Sequence, residues 1–162
     1  MTVSVTNRYP HSADKVYSTF TDEQYLREKY TFLGDRNYQF LGKDETGQTI
    51  SFRQQRDVHA DVPSFAKKIM SEWNTLEEKY VWTDNGAEKS LRFDSNLQGQ
   101  PVTITGTASL REDGDETVET ISLDVDVKVP LIGGKLRKKA EEDARESLIR
   151  EAEFNTQYLA RT

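Results

Sequence analysis

Two neighbouring extended segments carry polar and charged residues where alternation calls for apolar ones. In 48–58, Ile50 and Phe52 mark one face, and the same face then takes in Gln54 and Arg56. In 74–83, Leu76, Tyr80 and Trp82 carry Glu78 inward with them. Successive side chains on a strand point to opposite faces, so only a β-bulge would release either set. A third set lies near the C-terminus, where Ser147, Glu151 and Asn155 follow at four-residue spacing inside a helical stripe that also holds Phe154. Burying a charge is costly unless it is paired. The pattern predicts an Arg56–Glu78 ion pair between neighbouring strands, with Glu151 satisfied by Arg56 or by water. The same set could instead receive the polar head of an otherwise apolar ligand. A carboxyl in an apolar pocket also gains a raised pKa, which would suit Glu78 or Glu151 as a general acid or base.

Around these groups the aromatics Tyr38, Phe40, Phe52, Tyr80, Trp82, Phe93, Phe154 and Tyr158 fall on the inner faces. They can serve as packed core, as cavity lining, or as both. Other chemistries find little support. There are no cysteines, which excludes thiol catalysis, thiolate metal sites and disulfides. The two histidines, His11 and His59, have no carboxylate or second histidine at metal-ligand spacing. No nucleophile elbow, phosphate loop or dinucleotide fingerprint is present, so no cofactor is expected. Gly133-Gly134-Lys135 at a helix start has the form of an anion site. It reads more simply as a solvated helix start balanced by Glu141, Glu142 and Asp143.

The elements that must hold these residues are legible in turn residues and periodicity. Residues 2–9 alternate as a strand. Ser12 is a candidate N-cap for a helix with Val16, Tyr17 and Phe20 on one face. Thr21 or Asp22 caps a second short helix that ends at Gly34. Strands follow near 37–41, 48–58, 74–83, 88–97, 102–112 and 117–129, with a loop and a helical turn or two at 62–69. Taken as a two-residue loop, Asp113-Gly114 sets Val102, Ile104 and Gly106 opposite Val125, Leu123 and Ile121. The turn at Gln98–Pro101 pairs Phe93 with Gly106, which leaves room for the ring, and Leu91 with Ala108. Asn85-Gly86 pairs Tyr80 with Leu91, Glu78 with Phe93 and Leu76 with Ser95. All three hairpins turn the same residues inward. Leu131 to Leu159 then form one long helix after Gly133-Gly134, roughly 40 Å at ~1.5 Å per residue. Its stripe of Leu136, Ala140, Ala144, Ser147, Leu148, Phe154, Asn155 and Tyr158 is the cover that a one-sided sheet requires.

With 162 residues the chain suits one domain, 1–162, around one core. Its 22 Lys plus Arg against 28 Asp plus Glu give a net charge of −6, a field that opposes nucleic-acid binding. No long apolar run reads as a membrane span, and the opening MTVSVTNRYP lacks a secretory pattern, so a cytoplasmic location is expected.

The opening VSVTNRYPHSADKVYSTFTDEQYL and the closing VKVPLIGGKLRKKAEEDARESLIREAEFNTQYL resemble the matching ends of the START-like helix-grip superfamily. That superfamily takes in pollen allergens, polyketide cyclases and lipid-transfer domains. The closing stretch is similar to its bacterial branch of unknown function numbered 2505. The resemblance covers essentially the whole chain. It implies an α+β fold in which seven antiparallel strands curve around a long C-terminal helix, with two short helices between the first two strands. It also implies a cavity that takes a hydrophobic or amphipathic molecule such as a lipid or polyketide. On that reading Gln54, Arg56, Glu78, Tyr80, Trp82, Phe93, Ser147, Glu151 and Phe154 are the expected ligand-binding residues. A cyclase- or dehydratase-like enzyme using an inner carboxylate, and an interaction module with a filled core, are the alternatives.

Overall fold

The computed structural model describes residues 2–162. Strand β1 (Thr2–Tyr9) leads into α1 (Ala13–Phe20) and α2 (Glu23–Phe32). The Ser12 hydroxyl accepts from the Lys15 N–H and the Asp22 carboxylate from the Tyr25 N–H, so of the two candidate caps for α2 it is Asp22 that serves. Six strands follow: β2 (Arg36–Thr46), β3 (Thr49–His59), β4 (Trp73–Asp84), β5 (Glu88–Leu97), β6 (Val102–Asp113) and β7 (Glu116–Val127). The long helix α3 (Gly133–Arg161) closes the chain. The sheet is antiparallel with order β1-β7-β6-β5-β4-β3-β2, so the first strand returns to lie beside the last. This is the helix-grip α+β fold.

The hairpins hold the expected faces but two of them shift their partners by two residues. Phe93 faces Gly106 and Leu91 faces Ala108, as the Gln98–Pro101 turn predicts. Across the next hairpin, however, Gly106 faces Leu123 and Ile104 faces Val125, because Asp113 still pairs with Glu116. Across the earlier one, Tyr80 faces Phe93, Glu78 faces Ser95 and Leu76 faces Leu97. The reason is local. Gly114 and Gly86 carry the positive φ (63° and 85°), whereas Asp113 and Asn85 do not. Each glycine therefore leads the two-residue loop, in the manner of a II′ turn, and the Asn or Asp before it lies opposite Glu88 or Glu116. A slip of two residues keeps every side chain on its face, where a slip of one would have reversed them all.

Two other boundaries differ. β2 runs on to Thr46 with irregular pairing between Arg36 and Gln39 and between Phe40 and Gly42. These breaks interrupt the alternation, and the exposed edge residues beyond Gly42 have no apolar rhythm to signal a strand. In α3, Gly133 and Gly134 are the first helical residues rather than a lead-in, and Glu141 is buried beside Arg137 instead of solvated.

Rings from four strands stack in a row across the inner face. Phe40, Phe52, Tyr80 and Phe93 lie 5.7, 5.1 and 5.4 Å apart, nearly parallel. The row stops at Gly106, where an added Cβ would stand 2.4 Å from the Phe93 ring. Helix α3 leans on β1, β7 and α2, while α1 lies against β5, β6 and β7 and α2 against β2, so α3 itself stands off from the strands between β2 and β6.

Candidate functional site

That asymmetry leaves a cavity of about 540 Å³ between the sheet and α3. Its walls are largely apolar, with Leu91, Phe93, Ile104, Leu123 and Leu148 among them. Asp61, Glu146 and Arg150 are exposed and mark where it meets solvent, between the β3–β4 connection and α3.

One polar cluster on its wall contains the residues that alternation singled out. The Arg56 guanidinium pairs with Glu78, as expected, and also with Asp35 at 2.8 Å. It lies 3.8 Å over the Tyr30 ring. Glu78 further accepts from Gln54 at 2.9 Å and from Ser95 at 2.8 Å. Gln54 in turn donates to Tyr30 and accepts from Tyr38. Arg56, Glu78 and Gln54 are each tied on more than one side, which is what makes their burial tolerable. Burial raises the Asp35 pKa, with Arg56 working against the shift.

Glu151 does not meet Arg56. Its carboxylate is 3.0 Å from the ammonium of Lys29, a residue of α2 buried against the faces of Tyr25 and Tyr30. Burial alone would lower the Lys29 pKa; Tyr25, Tyr30 and Glu151 outweigh it and hold the group well above its ordinary value. Lys29 escaped the sequence reading because it falls on a short helix where a lysine ordinarily marks the solvent face.

A second polar cluster was missed altogether. Glu119 of β7 is buried on the cavity wall and accepts, at the same Oε1 atom, from Tyr9 at 2.7 Å and from Asn7 at 3.0 Å. Asn155 donates to the Tyr9 hydroxyl at 3.1 Å and accepts from that of Tyr25. Burial pushes the Glu119 carboxyl above its usual range, and the Asn7 and Tyr9 bonds oppose the shift. A signal existed: Ile121, Leu123 and Val125 point inward, and the same alternation carries Glu119 with them.

Of the expected site residues, Arg56, Glu78, Tyr80, Trp82, Phe93, Ser147 and Glu151 line the cavity. Gln54 and Phe154 lie behind it. Gln54 is fully buried in the Arg56 cluster, and Phe154 packs on Tyr25, Phe32 and Tyr158. The buried indole N–H of Trp82 has no partner among the described residues. Nor do three His, Cys, Asp or Glu side chains converge as metal ligands there.

Residues 4–159 match the family described as "Protein of unknown function (DUF2505)". The chain belongs to the DUF2505 family. No curated protein matches it. Solved structures show how widely the DUF2505 fold is shared. A protein of Thermus thermophilus is 18% identical, with a TM-score of 0.72 over 99% of this chain and 97% of its own. The Zhui aromatase/cyclase of Streptomyces sp. R1128 is 14% identical, with a TM-score of 0.70 over 99% of this chain and 94% of its own. A STAR-related lipid transfer protein fragment of Xanthomonas axonopodis is 15% identical, with a TM-score of 0.62 over 98% of this chain and 85% of its own. At these identities the likeness is one of fold. No helix among the described residues is long and apolar enough to cross a membrane.

Proposed function

We propose that this DUF2505 chain acts as one START-like domain, 1–162, that binds a hydrophobic or amphipathic small molecule between its sheet and α3, in the cytoplasm. The observation that carries the reading is the cavity of about 540 Å³, within the range of small-molecule sites, with apolar walls and a few convergent polar groups. Tyr80, Trp82 and Phe93 supply apolar wall, while Arg56, Glu78, Ser147 and Glu151 supply polar edge. Gln54 and Phe154 support these from behind. The filled-core alternative predicts no such space. The carboxylates named for the enzyme alternative, Glu78 and Glu151, are each held in an ion pair with a cation of the wall, which supports a binding role for them. The fold neighbours include an aromatase/cyclase and a lipid transfer protein, which is in keeping with an apolar ligand.

The test is a titration with the neutral fluorophore N-phenyl-1-naphthylamine, on the wild type and on Ala144→Trp. Ala144 is half-buried and lines the cavity, so an indole there would occupy cavity space. The wild type is expected to bind saturably, and the variant to lose at least about tenfold in affinity, ~1.4 kcal/mol, with its melting temperature held or raised. No saturable binding by folded wild type would sink the reading.

A further inference from the structure

We propose that the polar end of the ligand is a neutral or cationic hydrogen-bond donor, a hydroxyl or an ammonium, received by Oε2 of Glu119. The inference rests on the cavity being a ligand site and goes on to name the ligand's chemistry.

The hydrogen bonds around Glu119 have only one consistent direction. The Tyr25 hydroxyl donates to Asn155 Oδ1, which turns Asn155 Nδ2 toward Tyr9. The Tyr9 oxygen accepts that bond, so its own proton goes to Glu119 Oε1. Asn7 Nδ2 donates to the same oxygen. Oε1 is thus saturated, while no described residue donates to Oε2. Glu119 is 5% exposed overall and lines the cavity. Oε2 is left with free acceptor capacity on the cavity wall, and a donor brought by the ligand would satisfy it.

The surrounding charges argue against an anionic head. The cations on the inner wall are already matched: Lys29 by Glu151, and Arg56 by both Asp35 and Glu78. Arg150, at the exposed mouth, has no carboxylate partner among the described residues but is bonded to the Phe32 and Leu33 carbonyls. A carboxylate or phosphate passing it to the inner wall would find no unpaired cation and would meet Glu119 as a like charge. An ammonium would meet a carboxylate, and a hydroxyl could donate to it without a charge penalty.

Calorimetric titration of the wild type at neutral pH with 1-decanol, decylamine and decanoate, each kept in true solution, separates the heads on one apolar body. N-phenyl-1-naphthylamine serves as the reference without an ionised head. Decanol and decylamine are expected to bind at least about tenfold more tightly than decanoate, the strength of one hydrogen bond to a charged group. In E119Q the carboxamide oxygen takes the place of Oε1 beneath Asn7 and Tyr9, which turns its NH2 toward the cavity. A donor then stands where an acceptor stood, and decanoate should overtake decylamine. Circular dichroism checks that the variant folds; if it does not, the wild-type order alone decides. Decanoate binding as tightly as the other two, the fluorophore binding while no decyl compound does, or a folded E119Q that keeps the wild-type order would each overturn the inference while leaving a ligand cavity. Failure of the fluorophore and of every decyl compound would remove the underlying reading as well.

Discussion

At the scale of single residues, the alternation of β3 and β4 named Arg56, Glu78 and Gln54 as a buried set, and they do form one. It could not name Asp35 or Lys29. Asp35 follows Gly34 in a turn, and Lys29 reaches the interior only because α2 is tucked against α3. The consequence is sharpest for Glu151, whose partner is Lys29 and not Arg56. Glu151→Gln keeps the volume but leaves the Lys29 ammonium with aromatic faces alone. Because the Glu151 side chain is 21% exposed, the expected loss is about 1–3 kcal/mol, below the ~3–5 of a fully buried pair. Urea denaturation at neutral pH measures it. The double variant Lys29→Met/Glu151→Gln should recover most of that loss, since no unpaired charge then remains. An E151Q midpoint equal to that of the wild type would mean that the pair contributes nothing.

At the scale of elements, periodicity and turn residues named the seven strands and three α-helices in order, while the short 3-10 turn at Ser64–Ala66 was expected only as a loop with a helical turn or two. The faces were legible because they repeat every second residue; the partners in two hairpins were not, because Asn-Gly and Asp-Gly fit the loop in more than one register. The Phe93–Gly106 pairing was legible, since the Gln98–Pro101 turn admits it directly. Gly106 ends the stack of rings running from Phe40 to Phe93, and its missing side chain is what lets the last ring lie down. Gly106→Val would drive a branched side chain into Phe93 on one side and the Ser122 carbonyl on the other. The expected cost is about 1–3 kcal/mol of overpacking, read from thermal or urea unfolding. A variant as stable as the wild type would show that the ring moves aside freely.

At the scale of the whole molecule, three elements meet on Glu119 of β7: Asn7 and Tyr9 of β1 bond to it, Lys29 of α2 lowers its pKa, and Glu151 of α3 raises it. Burial is the largest influence and the net shift is upward from 4.5. Between 4.5 and the folded value, the folded state keeps a proton that the unfolded chain has released. The contribution of Glu119 to stability is therefore fully present below about 4.5 and is lost as pH rises through its folded pKa. E119Q has no such proton to hold. The difference in unfolding free energy, E119Q minus wild type, should grow as pH is raised from 4.5 toward neutrality, followed by urea midpoints at a series of pH values. A difference constant over that range would place Glu119 in a more watery setting than its burial implies.

What the sequence determined by itself was everything a residue settles with its near neighbours: strand faces from a period of two, helix starts from their caps, and one long helix with an apolar stripe as the only cover for a one-sided sheet. Tertiary structure alone decided which carboxylate meets which cation and that space remains beneath α3. Lys29 and Glu151, or Tyr9 and Glu119, are more than a hundred residues apart, and their meeting depends on how the intervening elements dock. The cavity exists because α3 leans on β1, β7 and α2 and stands off from the remaining strands. That offset is the sum of many side-chain volumes drawn from the whole chain, and no local pattern encodes a sum.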